Sequence, residues 1–221
     1  MTHNLEQDGF TIAGGILSPE ERRELLSLLG PVPGAGRRRL LAEPTVARLA
    51  RSENILALVR PHLAEEPLPV RAIYFDKSPD ANWLVTWHQD LTLSVRARVD
   101  VPGFGPWSTK KGIPHVQPPV ELMQQMLAVR LHLDDADASN GALRVLPGSH
   151  RFGRLSSDRV QKLRAEGSEV VCAVSAGDAL LLRPLLLHAS SRSTQPRHRR
   201  VLHIEYAGFQ LPPELQWHEA S

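Results

Sequence analysis

Two residues two positions apart, His88 and Asp90, close a short run of strand-forming residues at 82–87, and their spacing constrains the fold more than any other feature of the chain. Side chains of an extended strand alternate between faces, so residues i and i+2 share one. An imidazole and a carboxylate set side by side can take two adjacent positions on one metal ion. The third donor, His188, lies 100 residues downstream, at the close of the apolar run 178–187, which reads as one long strand. Only a closed antiparallel fold with neighbouring strand ends brings His188 back to the first two.

The rest of the pattern agrees with such a fold. Ser18-Pro19-Glu20-Glu21 supplies an N-cap, a proline at the first helical position and early acids. Leu25, Leu26, Leu28 and Leu29 give that helix its apolar stripe, and Gly30-Pro31 stops it. A second helix is expected over about 43–63. Strands are expected at 70–75, 82–87, 126–133, 142–146, 170–174, 178–187 and 199–207, with a short helix at 157–166. Residues 91–119 show little periodicity and read as a long functional or disordered loop. Helices are mostly confined to the N-terminal third, so the expected class is β-rich α+β, an antiparallel sandwich or barrel carrying external helices. With no repeat and no dividing linker, one domain is expected over 1–221, helical to about 65 and with its β core at about 70–210.

Composition narrows the setting. The 26 basic and 24 acidic residues give a formal charge of +2, which does not favour a nucleic-acid surface. Arg192, Arg197, Arg199 and Arg200 nevertheless gather just past His188, as a local anionic ligand would require. The one cysteine, Cys172, reads as core filling. Neither a leader sequence nor a span of transmembrane length is apparent, and a cytoplasmic protein with no membrane partner is expected. Oligomeric state is not legible.

Two histidines and one carboxylate with open positions opposite them describe a non-haem Fe(II) oxygenase site. Arg199 follows His188 by eleven residues, with Ser193-Thr194-Gln195-Pro196 between them. A hairpin centred there would set the two residues opposite each other, and the guanidinium fork would hold a carboxylate. 2-Oxoglutarate, a dianion that chelates through one end, fits that layout. Arg130 and His132 share a strand face and read as pocket lining or as a polar pair in the wall, and His203 is equally open. His150 reads as hydrogen-bonded and structural, and His115 as a loop residue within possible reach of substrate.

The ordered segments resemble the phytanoyl-CoA dioxygenase family of Fe(II)/2-oxoglutarate oxygenases. The resemblance rests on Trp87-His88-Gln89-Asp90, on Arg130-Leu131-His132-Leu133-Asp134, on the run from Asn140 through Pro147-Gly148-Ser149-His150, and on His188 with Arg199-Arg200. It implies a double-stranded β-helix of the jelly-roll, cupin-like kind, with flanking N-terminal helices. It also implies His88, Asp90 and His188 as iron ligands, Arg199 on the far carboxylate of 2-oxoglutarate, and further co-substrate contacts from Gln89, Ser190 and Trp107. The implied reaction consumes O2 and 2-oxoglutarate, releases succinate and CO2, and hydroxylates a small organic substrate. A non-catalytic ligand-binding β-helix and a zinc hydrolase using the same three donors are the competing readings.

Overall fold

The computed structural model describes residues 3–32, 34–195 and 197–220. The first third contains α1 (Leu5–Asp8), β1 (Phe10–Ala13), α2 (Pro19–Leu29), β2 (Gly36–Arg38), α3 (Pro44–Ala50) and α4 (Glu53–Val59). Next come β3 (Leu68–Lys77), β4 (Val85–His88), β5 (Leu93–Ser94), β6 (Trp107–Lys110), β7 (Ile113–Val116), α5 (Val120–Gln124) and β8 (Met126–His132). The chain finishes with β9 (Leu143–Val145), α6 (Ser157–Glu166), β10 (Val170–Val171), β11 (Ala179–Leu182), β12 (His188–Ser190) and β13 (Arg199–Ala207).

These strands form a six-stranded sheet ordered β1-β11-β8-β13-β3-β2, a four-stranded sheet ordered β10-β9-β12-β4, and a three-stranded sheet ordered β5-β7-β6. Every strand pair is antiparallel. The two larger sheets meet through Phe10, Leu180 and Leu182 on one side and Leu143, Val145 and Leu186 on the other. This is the β-rich, double-stranded β-helix architecture expected from the sequence.

Strand alternation explains how the larger sheet carries a cavity. Ala72 and Tyr74 of β3, Val129 and Leu131 of β8, and Leu202 and Ile204 of β13 face outward. There they pack under Leu25 and Leu29 of α2, Val46 of α3 and Ile55 of α4. Ser18 caps α2 in a reciprocal capping box with Glu21, as its sequence implies. The alternate residues of the same strands, many of them polar, therefore point inward between the sheets.

Four expectations change. The helix expected over 43–63 is two helices, interrupted at Arg51-Ser52, where Ser52 precedes α4 with extended backbone. Residues 91–119 are not an unstructured loop, because they build the three-stranded sheet. Its apolar residues Leu93, Val95 and Val116 are buried with Met123, Phe209 and Trp217, spread too widely in sequence to show a period. The run 178–187 is not one strand: β11 ends at Leu182, a turn follows, and His188 opens β12 in the other sheet. Finally, 188 and 199 do not belong to one hairpin. β12 pairs with β4 and β9, whereas β13 pairs with β3 and β8.

Candidate metal centre and its cavity

The three donors converge from two strands. His188 lies directly opposite His88 in the β12–β4 ladder, and their ring centroids are 4.2 Å apart. Asp90 lies just beyond β4, where its backbone N–H donates to the Pro184 carbonyl at 2.9 Å. The Asp90 carboxylate is 3.8 Å from His88 Nε2 and 3.7 Å from His188 Nε2. Those distances are too long for direct hydrogen bonds. One donor atom from each residue lies within 4.8 Å of the others, so one cation can be shared among them.

The imidazoles are oriented alike. His88 Nδ1 is 2.8 Å from the Thr86 carbonyl and His188 Nδ1 is 2.8 Å from the Leu186 carbonyl. Each ring is tied to the backbone two residues earlier, which makes Nδ1 the donor and leaves Nε2 free toward the cluster. Burial pushes His188 down to about 4, and the Asp90 carboxylate only partly opposes that shift. Burial would raise Asp90, but the neighbouring His188 and His88 outweigh it and hold the carboxyl below its ordinary range. Asp90 is thus ionised and His188 neutral near pH 7, the forms in which they donate to a metal.

The cluster opens on a cavity of about 310 Å³ between the two larger sheets. Asp90 retains 45% side-chain exposure because it faces this space. Arg199 enters from β13 and is 3% exposed. Its Nε and Nη1 are buried without a hydrogen-bond partner among the described residues. Burial, then the charge of Arg130, pushes its pKa down to about 9. It stays charged at neutral pH, and an uncompensated buried cation is costly unless an anion meets it. Ser190 also lines the cavity. Its hydroxyl donates to the Gly141 carbonyl at 2.8 Å and accepts from Lys77 Nζ at 2.8 Å.

Two expected site residues are elsewhere. Gln89 lies between His88 and Asp90 and therefore points to the opposite face. Its amide donates to the Leu185 carbonyl at 2.6 Å and the Gly153 carbonyl at 2.8 Å, and accepts from Leu155 N–H at 2.9 Å. With those bonds it is a structural clamp and does not line the cavity. Trp107 packs in the apolar cluster beside the three-stranded sheet, with the Arg98 guanidinium 5.8 Å from its ring centre. On the same strand Lys110, an odd number of residues away, takes the cavity-facing side.

The other histidines resolve variously. His203 lines the cavity, 3.2 Å from Arg130 Nη1 and 3.3 Å from Glu205, whose carboxylate pairs with Arg71 at 3.0 Å. His132 is buried, and neither ring nitrogen has a partner among the described residues, so it is not the satisfied polar pair that its strand suggested. His115 is buried in β7 with Nδ1 bonded to the Ile113 carbonyl. His150 Nε2 meets the Glu6 carbonyl at 3.3 Å.

Sequence reasoning missed Arg38, Arg71, Lys77 and Glu205. For Arg71, Lys77 and Glu205 the available signal was the alternation of β3 and β13, whose charged positions resemble a solvent face until helices are seen to cover the other one; Arg38, on the three-residue β2, had no such signal.

The family model for phytanoyl-CoA dioxygenase (PhyH) matches residues 5–201. The chain belongs to the PhyH family. Solved structures share its fold. AviO1 from Streptomyces viridochromogenes Tue57 is 26% identical, with a TM-score of 0.64, over 95% of this chain and 94% of its own. EctD from S. alaskensis, solved with bound Fe, is 19% identical with a TM-score of 0.73, over 98% of this chain and 80% of its own. HygX from Streptomyces hygroscopicus has been solved with iron bound, at 20% identity and a TM-score of 0.64, over 92% of this chain and 83% of its own. It has also been solved with nickel and 2-oxoglutarate. No curated protein matches the chain. Among the described residues of this PhyH-family protein, no helix is long and apolar enough to cross a membrane.

Proposed function

We propose that this protein is an Fe(II)- and 2-oxoglutarate-dependent dioxygenase that hydroxylates a small organic substrate. The observation that carries the reading is the buried Arg199, with two guanidinium nitrogens unpartnered among the described residues, in the same cavity as a two-histidine, one-carboxylate cluster. The donor set fits ferrous iron, since two neutral imidazoles and one carboxylate leave coordination positions open toward the cavity. Arg199 fits a carboxylate two-pronged. The HygX structure with nickel and 2-oxoglutarate supports the pairing by analogy.

In this reading His88, Asp90 and His188 hold the metal, Arg199 binds the distal carboxylate of 2-oxoglutarate, and Ser190 contributes a hydroxyl beside it. Bound there, iron supplies the activation of O2 that couples decarboxylation of 2-oxoglutarate to oxidation of the substrate. The protein supplies orientation and exclusion of water. The backbone carbonyls of Thr86 and Leu186 fix the two imidazoles, and Lys77 and Gly141 fix the Ser190 hydroxyl.

The test is succinate formation from 2-oxoglutarate by iron-loaded protein in air. Slow release that disappears in Asp90→Ala is expected. Release that is absent from folded, iron-loaded protein across a broad set of small substrates would overturn the assignment.

A further inference from the structure

We propose that the cavity end remote from Arg199 is a subsite for the anionic group of a compact organic substrate, a carboxylate or a phosphate, held by Arg38, Arg71 and Lys110. The proposal rests on the reading above only in giving Arg199 to the co-substrate.

Strand β3 runs the length of the cavity. Lys77 is the register partner of Arg199, and Arg71 is the register partner of Glu205. Arg71 and Lys77 are six residues apart, roughly 20 Å along an extended strand. His203 lies between those ends on β13, and His88, Asp90 and His188 line the same cavity. Positive charge therefore stands at both ends of the cavity.

At the remote end three elements converge, with Arg38 from β2, Arg71 from β3 and Lys110 from β6. The whole cavity wall carries five fixed cations, these three with Arg130 and Arg199, against the carboxylates of Asp90 and Glu205. Glu205 is taken by Arg71 and His203, and Asp90 by the histidine cluster. Arg130 is 8% exposed, and its Nε has no partner among the described residues. Among the described residues Arg38 has no hydrogen-bonding partner, and Lys110 has only the Thr92 hydroxyl at 3.2 Å. Both are open to solvent at the mouth, yet protein surrounds them closely enough that burial, followed by the charge of Arg71, lowers their pKa values. Arg38 and Lys110, with no carboxylate bonded to either among the described residues, stand beside the charge of Arg71, and an entering anion relieves their mutual repulsion. A 2-oxoglutarate dianion held by Arg199 cannot also serve cations at the far end.

Size limits the substrate. The volume of about 310 Å³ is at the small end for a ligand pocket and is shared with the co-substrate. A compact anion fits better than a long acyl carrier.

The test loads the protein with Ni(II) and 2-oxoglutarate, so that nothing turns over, and titrates hexanoate, hexyl phosphate and hexanamide by calorimetry. At least one anion should bind at least about tenfold tighter than the amide. The stronger of the two anions identifies the headgroup. The double variant Arg38→Gln, Lys110→Gln should erase the preference, and Arg38→Lys, Lys110→Arg should restore it. Both positions are exposed, and an unchanged Tm would show that the fold is intact. Arg71 is left alone because removing it would strand Glu205. Equal or undetectable binding of all three probes, a preference that survives the double glutamine variant, or an anion that merely displaces 2-oxoglutarate would each overturn the subsite. Failure of the unaltered protein to bind 2-oxoglutarate would instead overturn the co-substrate reading, and with Ni(II) alone the subsite would then be decided by whether the double glutamine variant loses the anion preference.

Discussion

His88 and His188 are direct cross-strand partners, tilted 54° to one another, and each ring is tied to the carbonyl two residues before it. The β4–β12 ladder therefore fixes both imidazoles before any metal arrives. In the proposed site, removing one ring removes a ligand outright. His188→Ala should lower metal affinity by more than the roughly 10–100-fold typical of losing an outer-sphere partner. Competition against a chromophoric chelator measures this, and unchanged affinity would rule the triad out as the metal site.

Gln89 shows how adjacency in sequence misleads. It is flanked by two cluster residues, yet it ties residues 153–155 to the turn before β12. Gln89→Leu would strand two carbonyls and one N–H, and a loss of about 2–4 kcal/mol in denaturant unfolding is expected. If the variant instead kept its stability and lost only 2-oxoglutarate binding, Gln89 would be a co-substrate ligand after all.

Gly141 stands behind the cavity-lining Ser190, whose hydroxyl donates to its carbonyl. Its φ of 76° lies in the left-handed region, and a Cβ there would run into the Ser191 carbonyl oxygen and come within 2.9 Å of Lys77 Nζ. Gly141→Ala should cost more than about 2 kcal/mol, because left-handed strain adds to the collision. It should also weaken 2-oxoglutarate binding by displacing Ser190. Equilibrium unfolding and co-substrate titration check the two effects separately.

Lys77 is fully buried and bonded to Ser190 and the Ser191 carbonyl. Burial, then the charges of Arg199 and Arg130, pushes it down to about 7 from an ordinary 10.5. Between those values the unfolded chain holds a proton that the native protein has released, so stability rises with pH through that window. Below about pH 7 both states are protonated, so the slope disappears and the cost of burying the charged lysine stays constant. The slope is at most about 1.4 kcal/mol per pH unit. Lys77→Met should flatten the rise between pH 7 and 9.5, measured without co-substrate. Parallel curves for the two proteins would contradict the assignment.

The class of fold and the pairing of His88 with Asp90 were legible because each has a local signature, whereas His188, which the structure brings beside them, was reached only through the ordered set of segments. Alternating strands, a capped helix at Ser18 and the i, i+2 spacing of His88 and Asp90 are all short-range patterns. Arg199 was found from its distance to His188, but the hairpin invoked to place it does not exist. The residues reach one cavity from opposite sheets, a relationship that no local pattern encodes. Arg38, Arg71 and Glu205 stayed hidden for a related reason. A polar strand face reads as solvent-exposed, and only the helices over Tyr74, Leu131 and Leu202 reveal that it points inward. Residues 91–119 looked structureless because their apolar partners, Phe209 and Trp217, lie about a hundred residues away.

The most direct measurement is an anaerobic titration of metal-free protein with Fe(II) and then 2-oxoglutarate, followed by visible absorbance. The account predicts a weak metal-to-ligand charge-transfer band that needs both additions. The band should be lost in His188→Ala, and in Arg199→Ala it should be reached only at higher 2-oxoglutarate. Folded, iron-loaded protein that shows no band at any 2-oxoglutarate concentration would contradict it.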